Sequence, residues 1–348
     1  MEALEEIART INNVIMPVRP LLLLILSLTL TYCSDKPSDI RLSKVEQFAS
    51  ESPKEALDSL ESINYDLLSN TDKHYYDFLS VKVADKAYVT HTSDSLILRV
   101  IDFESKNKEN GRYPEALYYG GRVYSDLGDS PKALYYFQKA NDEVSQESAD
   151  LKCRILSQTG RLLTSLRLYD QAIPYITSTL EIEKSRQDSL GMIHDLLLLG
   201  GTHLRNSNYE QAQNYFNQAI QISAKNPHLK AKAMMYLAAT KYNIGQLDSA
   251  LNLIRNTPTG VSPLAHRSAL GYAAKIYLKA GILDTAYMYA TELISEKSEH
   301  TEIGYQVLLS PELQKYIHQD SLYRYIYDYR DTVSYTHLRA HETCADLV

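Results

Sequence analysis

Small and apolar residues recur through the middle of the chain every three or four positions, which is the spacing of a helix face. Between residues 114 and 146 they form two runs separated by Gly128 and Asp129. The positions are Leu117, Gly121, Tyr124, Gly128, Ala133, Phe137 and Ala140. Glycine followed by aspartate is typical of a helix end and a turn. The pattern therefore predicts a hairpin of two helices, A and B, which cross at Gly121.

The same frame returns four more times. Its further copies are Leu156, Gly160, Leu163, Ala172 and Ile176; Leu196, Gly200, Ala212, Phe216 and Ala219; Met234, Ala238, Gly245, Ala250 and Ile254; and Leu270, Ala274, Tyr277, Gly281 and Ala286. The small residues at 121, 160, 200, 238 and 274 are separated by 39, 40, 38 and 36 residues. The frame is similar to that of the tetratricopeptide repeat, whose basic unit has about 34 residues, so the resemblance implies that helix B or the turn after it is extended, for instance at Glu181–Asp188.

This order of small, aromatic and turn residues resembles the tetratricopeptide repeat. The resemblance implies an all-α fold, a right-handed superhelical solenoid of tetratricopeptide helical hairpins with about seven to eight units, five of them clear. The clear units occupy residues 113–299, and degenerate helical repeats occupy residues 34–112. Within the latter we expect helices at Ile40–Ala49 and Pro53–Ile63, then a hairpin from Tyr75 to Lys106.

Residues 300–332 are expected to form degenerate capping helices at Ile303–Leu309 and Asp320–Arg330, with Asp320 as the N-cap. The segment Leu322–Arg330 also alternates with period two, which leaves a strand as an alternative. We favour the helix, because a lone strand beside helices would have no partner for its backbone.

Residues 1–33 resemble a bacterial lipoprotein signal. A short basic segment from Met16 precedes the apolar run Pro20–Leu30, and Cys33 follows at the expected cleavage point. The resemblance implies lipid attachment at Cys33; an uncleaved N-terminal anchor is the alternative. The acidic stretch Met1–Ile15 precedes this signal, so we expect the natural start to lie later.

Residues 333–348 break the helical pattern and resemble a translated sequencing-adapter tail. We therefore expect this tail to be non-native and the chain to be a fragment of a longer protein.

Composition and motifs exclude several functions. A formal net charge of -7 argues against a nucleic-acid partner, because phosphate binding needs clustered Lys and Arg. Three cysteines cannot form a disulfide framework. Residues 35–331 contain no recognisable catalytic, phosphate-binding or zinc motif. His194 and His203 lie nine residues apart and face different sides of a helix. We therefore predict a protein that is not an enzyme and needs no metal and no cofactor.

The exposed face of each helix A should line a concave groove that binds a partner. Counting from the frame, the groove residues are Tyr118, Arg122, Asp126, Arg161, Ser165, Arg205, Tyr242, Asn243, Lys275 and Lys279. This row is more basic than the whole chain, and Arg offers a planar fork of donors to a carboxylate. It favours a carboxylate-bearing or acidic peptide; basic side chains that merely solvate a helix face are the alternative.

The repeats together with the signal resemble exported tetratricopeptide proteins of Bacteroidota-type bacteria. In one such group a transmembrane helix, a coiled coil and sometimes a DNA-binding module follow the array. The resemblance implies the periplasmic receptor part of a membrane-linked regulator, held in the Gram-negative envelope, with a protein or peptide partner. The alternatives are a lipid-anchored scaffold for assembling envelope complexes and an accessory subunit of an enzyme.

Overall fold

The computed structural model describes residues 39–145, 147–257, 267–295, 301–315 and 317–330. Throughout these ranges the regular structure is helical and contains no strand. Cys33 and the tail 333–348 lie outside the described residues. The chain divides into two compact units, one up to Tyr88 and one from Val89 onwards. This division precedes the change from degenerate to clear repeats expected at residue 113.

The described part of the first unit, from residue 39, contains three α-helices, α1 (Ile40–Phe48), α2 (Pro53–Glu61) and α3 (Asn70–Lys86). Its core holds Leu42, Val45, Ala56, Leu60 and Phe78. Two of the helices begin with a side-chain cap, since Asp39 and Ser69 accept backbone N–H groups of the first turn. The first two helices match the predicted positions.

The second unit repeats helical hairpins along the chain. Its α-helices among the described residues are α4 (Ser95–Lys106), α5 (Tyr113–Asp126), α6 (Ser130–Glu143), α7 (Ala149–Ser165), α8 (Tyr169–Arg186), α9 (Ser189–Arg205), α10 (Tyr209–Ile222), α11 (Pro227–Asn243), α12 (Leu247–Arg255), α13 (Arg267–Lys279), α14 (Leu283–Ser295), α15 (Thr301–Leu308), α16 (Pro311–Gln314) and α17 (319–330). Each helix from α5 to α11 packs against the next one. The extra length expected around Glu181 belongs to α8, which has 18 residues.

The division at Tyr88 falls inside the predicted hairpin from Tyr75 to Lys106. Within the first unit α3 packs on α2, and within the second α4 packs on α5. Polar contacts hold the start of α4 to α5, because the Tyr124 hydroxyl donates to Asp94 at 2.8 Å. The apolar face of α4 adds Ile101, which lies against Gly120. These contacts involve residues far apart in sequence, which helical periodicity does not report.

The predicted crossing of helices A and B at the small residues is confirmed. A Cβ atom built on Gly121 would lie 2.4 Å from the ring of Phe137. At Gly160 the corresponding distance to Ile176 is 2.4 Å, and at Gly200 it is 2.5 Å to Phe216. Real Cβ atoms do not approach so closely, so glycine allows the two backbones and the large B-helix side chain to meet.

The turns between helices A and B share one backbone pattern. Gly128, Gly245 and Gly281 have φ values of 80°, 81° and 72°. The residue after each donates its N–H to a carbonyl five residues earlier, which is the closing bond of a Schellman turn. Arg167 and Ser207 adopt the same left-handed conformation with φ of 62° and 57°. Two of the five turns thus keep their geometry without the residue that prefers it.

The last helix confirms the prediction of a helix at Asp320–Arg330 and corrects its N-cap. Residues 319–330 form a helix, so the strand alternative for Leu322–Arg330 is wrong. Asp320 lies inside its first turn and is not the N-cap; the backbone N–H of Asp320 points to Nδ1 of His318 at 3.4 Å. Rings of Tyr325 and Tyr329 lie 6.3 and 6.1 Å from Tyr305 of α15, which gives the helix a surface to pack on.

Candidate functional site

One face of the A helices in the second unit lines a cavity of about 690 Å³. Residues three, four and seven positions apart on one helix lie on a single face, as Gln158, Arg161 and Ser165 do on α7. The same spacing recurs on α9 with His194, Leu197, Leu198, Gly201 and Arg205. Arg122 of α5, Lys232 and Tyr236 of α11, and Tyr272 of α13 extend the surface. The face opposite the B helices is therefore a continuous concave wall.

Four of the predicted groove residues line this cavity. They are Arg122, Arg161, Ser165 and Arg205, from α5, α7 and α9. Arg161 and Arg205 are exposed inside the concavity, and Arg122 is half-buried. Three of the predicted basic side chains are thus brought to one surface.

The remaining predicted residues are not part of the cavity lining. Tyr118 is only 5% exposed, because its ring lies between Phe137 and the guanidinium of Arg154. Asp126 accepts the backbone N–H of His91 at 3.0 Å, and the His91 ring nitrogen Nδ1 lies 2.7 Å away. The Asp126 carboxylate therefore closes the loop before α4.

The other four lie beyond the cavity, towards the C-terminal repeats. Tyr242 packs in the apolar cluster of α11, α12 and α13. The Asn243 side chain donates to the Ala239 carbonyl at 3.0 Å, so it satisfies the end of its own helix. Lys275 is half-buried, and burial lowers the pKa of its ammonium group. Lys279 is exposed at the end of α13.

Sequence reasoning missed His194, Lys232, Tyr236 and Tyr272, which all line the cavity. A signal for them exists in the repeat frame. His194 and Lys232 lie six residues before the small residues 200 and 238, and the two tyrosines lie two residues before 238 and 274. The prediction used mainly positions after the small residue and overlooked half of the face.

Positive charge is concentrated in the cavity. The basic side chains are Arg122, Arg161, His194, Arg205 and Lys232, and no Asp or Glu stands among the described residues that line it. Burial lowers the pKa of Lys232, and the charge of Arg161 lowers it further. The pKa of His194 is lowered first by burial and then by Lys232 and Arg161. These groups repel one another, so an anion between them would be stabilised.

A buried carboxyl group lies where α9 packs on α8. Asp195 is 5% exposed, and burial raises its pKa to about 7 although a hydrogen bond with Thr179 opposes the shift. Glu183 of α8 raises it further, and Arg161 lowers it. Asp195 belongs to the packing of α8 on α9 and is outside the cavity lining.

Two negative findings apply to the described residues only. None of their helices is both long enough and apolar enough to cross a membrane. No group of three or more His, Cys, Asp and Glu side chains among them could hold a metal ion.

These features define an all-α protein of tetratricopeptide-type helical hairpins, in agreement with the predicted fold class. The Cα traces of solved helical repeat proteins are similar. The apo form of RapI superposes with a TM-score of 0.61 at 15% identity, covering 85% of each chain. A Rap conjugation gene regulator of plasmid pLS20, in complex with the Phr* peptide, gives 0.54 at 14% identity over 84% of this chain and 83% of that one.

A third similar structure is the signal transduction ATPase with a tetratricopeptide repeat sensor from Pyrococcus horikoshii. Its TM-score is 0.56 at 16% identity, and the match covers 88% of this chain and 47% of that chain. No protein-family model and no curated protein sequence matches the chain. At these identities the likeness concerns the fold.

Proposed function

We propose that this protein is a non-catalytic scaffold that binds a peptide, or an extended segment of a partner protein, in the cavity of its second unit. The observation that carries the proposal is the continuous lining by equivalent positions of successive A helices. A similar fold holds a peptide in the complex of the Rap regulator with Phr*. An extended segment could contact several repeats at once, and repeat proteins use such surfaces for binding.

The cavity offers the chemistry that a peptide needs. Leu162, Leu197 and Leu198 provide apolar surface, and the rings of Tyr236 and Tyr272 add aromatic contacts. Tyr and Arg are enriched among residues that dominate binding energy. Gly201, on the same face, leaves open space, since no heavy atom lies within 4 Å of a Cβ built there.

Gly201→Phe should abolish peptide capture without unfolding the protein. The new ring would occupy the cavity, while the absence of nearby atoms means that the core is not overpacked. Capture from a displayed library of random nonapeptides measures the effect, and circular dichroism checks the fold. Asn217→Phe is the matched control, because Asn217 is exposed on helix B of the same repeat and is not among the described lining residues.

Enrichment of the same peptides by the wild type and by Gly201→Phe would contradict a binding site in the cavity. Failure of the wild type to enrich any peptide would contradict peptide binding itself.

We further propose that the scaffold is exported and anchored through lipid on Cys33, as the periplasmic receptor part of a membrane-linked regulator. The support is the resemblance of residues 1–33 to a lipoprotein signal. In a Gram-negative host supplied with a palmitate analogue, we expect the protein to be labelled and Cys33→Ser to lose the label. Cys153→Ser is the control, because Cys153 is buried between helices. Equal labelling of wild type and Cys33→Ser would contradict the anchor.

A further inference from the structure

Three basic side chains from successive A helices meet in the cavity. They are Arg161 of α7, His194 of α9 and Lys232 of α11, and all three belong to its lining. They influence one another electrostatically. The charges of Lys232 and Arg161 both lower the pKa of His194, and the charge of Arg161 lowers the pKa of Lys232. Arg122 acts on Arg161 from the neighbouring helix α5. The repeats thus bring basic side chains together in one cavity.

Two carboxyl groups near this cluster, Asp188 and Asp195, neutralise its positive charge only in part. Asp188 acts on His194, but its Oδ1 already accepts the N–H groups of Leu190 and Gly191 at 3.0 Å each as the cap of α9. Asp195 acts on Arg161, but it is buried and a pKa of about 7 leaves it partly protonated near neutral pH. A carboxylate brought by a ligand would therefore remove repulsion and gain charge-assisted hydrogen bonds.

We propose that Arg161, His194 and Lys232 form a subsite for a carboxylate of the bound peptide, and that binding is linked to protonation of His194. The proposal rests on the proposed function and adds the chemical class of the ligand. Arg161 supplies a planar fork of donors, Lys232 a compact charge, and His194 a further positive charge once it is protonated.

The affinity for a carboxylate should rise as the pH falls. In the free protein burial, Lys232 and Arg161 disfavour the charged imidazole of His194. A bound carboxylate favours the charged form, so the pKa of His194 is higher in the complex than in the free protein. Binding then takes up a proton, and affinity rises as pH falls from 8 to 6. The carboxylate of the ligand stays ionised throughout that range.

Protonation of Asp195 could produce a similar trend, because it would leave the charge of Arg161 less compensated. The two origins are separable by substitution. His194→Gln should remove the pH dependence of binding, and Asp195→Asn should retain it. Arg161 keeps its charge over this range, because a guanidinium is not deprotonated in proteins.

The test uses fluorescein-labelled pentapeptides and fluorescence anisotropy at pH 6, 7 and 8. The probes are pentaglutamate and pentaglutamine blocked at both ends, and pentaglutamine with a free C-terminus. We expect pentaglutamate to bind at least about tenfold more tightly than blocked pentaglutamine, as one charge-assisted contact would give. A gain for the free C-terminus alone would assign the subsite to a chain end instead of an acidic side chain.

Arg161→Gln and Lys232→Gln should each weaken pentaglutamate binding by about tenfold. Lys184→Gln, which removes an exposed charge from helix α8, should leave it unchanged.

Equal binding of all three probes overturns the subsite, and so does pH dependence that persists in His194→Gln. Peptide binding in the cavity would still be supported if the wild type captured random peptides and Gly201→Phe did not. Pentaglutamate binding that survives Gly201→Phe also overturns the subsite, because it places the anion outside the cavity.

Discussion

Gly200→Leu should lower the free energy of unfolding by roughly 1 to 3 kcal/mol or prevent folding, as overpacking of a dense core does. Even a Cβ atom at Gly200 would lie 2.5 Å from the Phe216 ring, which is fully buried and has little room to move. Gly121→Leu should behave alike, because Phe137 occupies the same position in its own hairpin. Urea unfolding followed by circular dichroism measures both.

The neighbouring residue provides the control. Gly201 lies on the same helix but faces open space. Gly201→Leu should therefore leave stability unchanged or raise it slightly, since leucine favours helix over glycine by roughly 0.5 to 1 kcal/mol. If Gly200→Leu and Gly201→Leu unfolded at the same urea concentration, the assignment of Gly200 to the crossing would be wrong.

Asp195→Asn should make the protein more stable at pH 8 and should flatten its stability between pH 5 and pH 8. In the folded chain the pKa of Asp195 is about 7, above its ordinary value, so the folded state holds the proton more firmly than the unfolded state. Stability contributed by the protonated carboxyl is present at acidic pH and is lost as pH rises towards 7. Each pKa unit of difference corresponds to about 1.4 kcal/mol.

The measurement is the difference between the wild-type and variant urea midpoints at pH 5, 6, 7 and 8. Asparagine can keep the hydrogen bond with Thr179 and carries no charge, so the difference should widen with rising pH. Asp142→Asn, an exposed change near the end of α6, should follow the wild type at every pH. A constant offset between wild type and Asp195→Asn would contradict a titrating Asp195.

The sequence predicts the hairpins well because their packing repeats. Gly121, Gly160 and Gly200 recur with a bulky partner in the following helix, and this local spacing is sufficient to place the crossings. The hairpin assigned to Tyr75–Lys106 had no such glycines. Its second helix, α4, is held to α5 by the hydrogen bond between Tyr124 and Asp94, which are 30 residues apart. The periodicity of a single helix does not indicate contacts between residues so far apart in sequence.

The candidate site was predicted only in part, for two reasons. His194 and Lys232 precede the small residues of their repeats, whereas the predicted groove positions mostly follow them. Tyr118 was expected in the groove, but Arg154 from the next repeat covers its ring. A helical wheel assigns a face to each residue, yet it does not show which neighbouring side chain will cover that face. The finer assignment to a membrane-linked regulator remains a prediction.

The repeat frame separates the residues that hold the hairpins together from those that line the cavity. Crossing positions such as Gly200 contact the following B helix, whereas Gly201, one position later, faces the cavity. Substitutions at cavity positions can therefore change what is recognised with little cost to folding, because surface changes usually alter stability by less than about 0.5 kcal/mol. Such a protein can evolve new ligands one repeat at a time, and engineered exchange of single A-helix faces should transfer specificity between arrays.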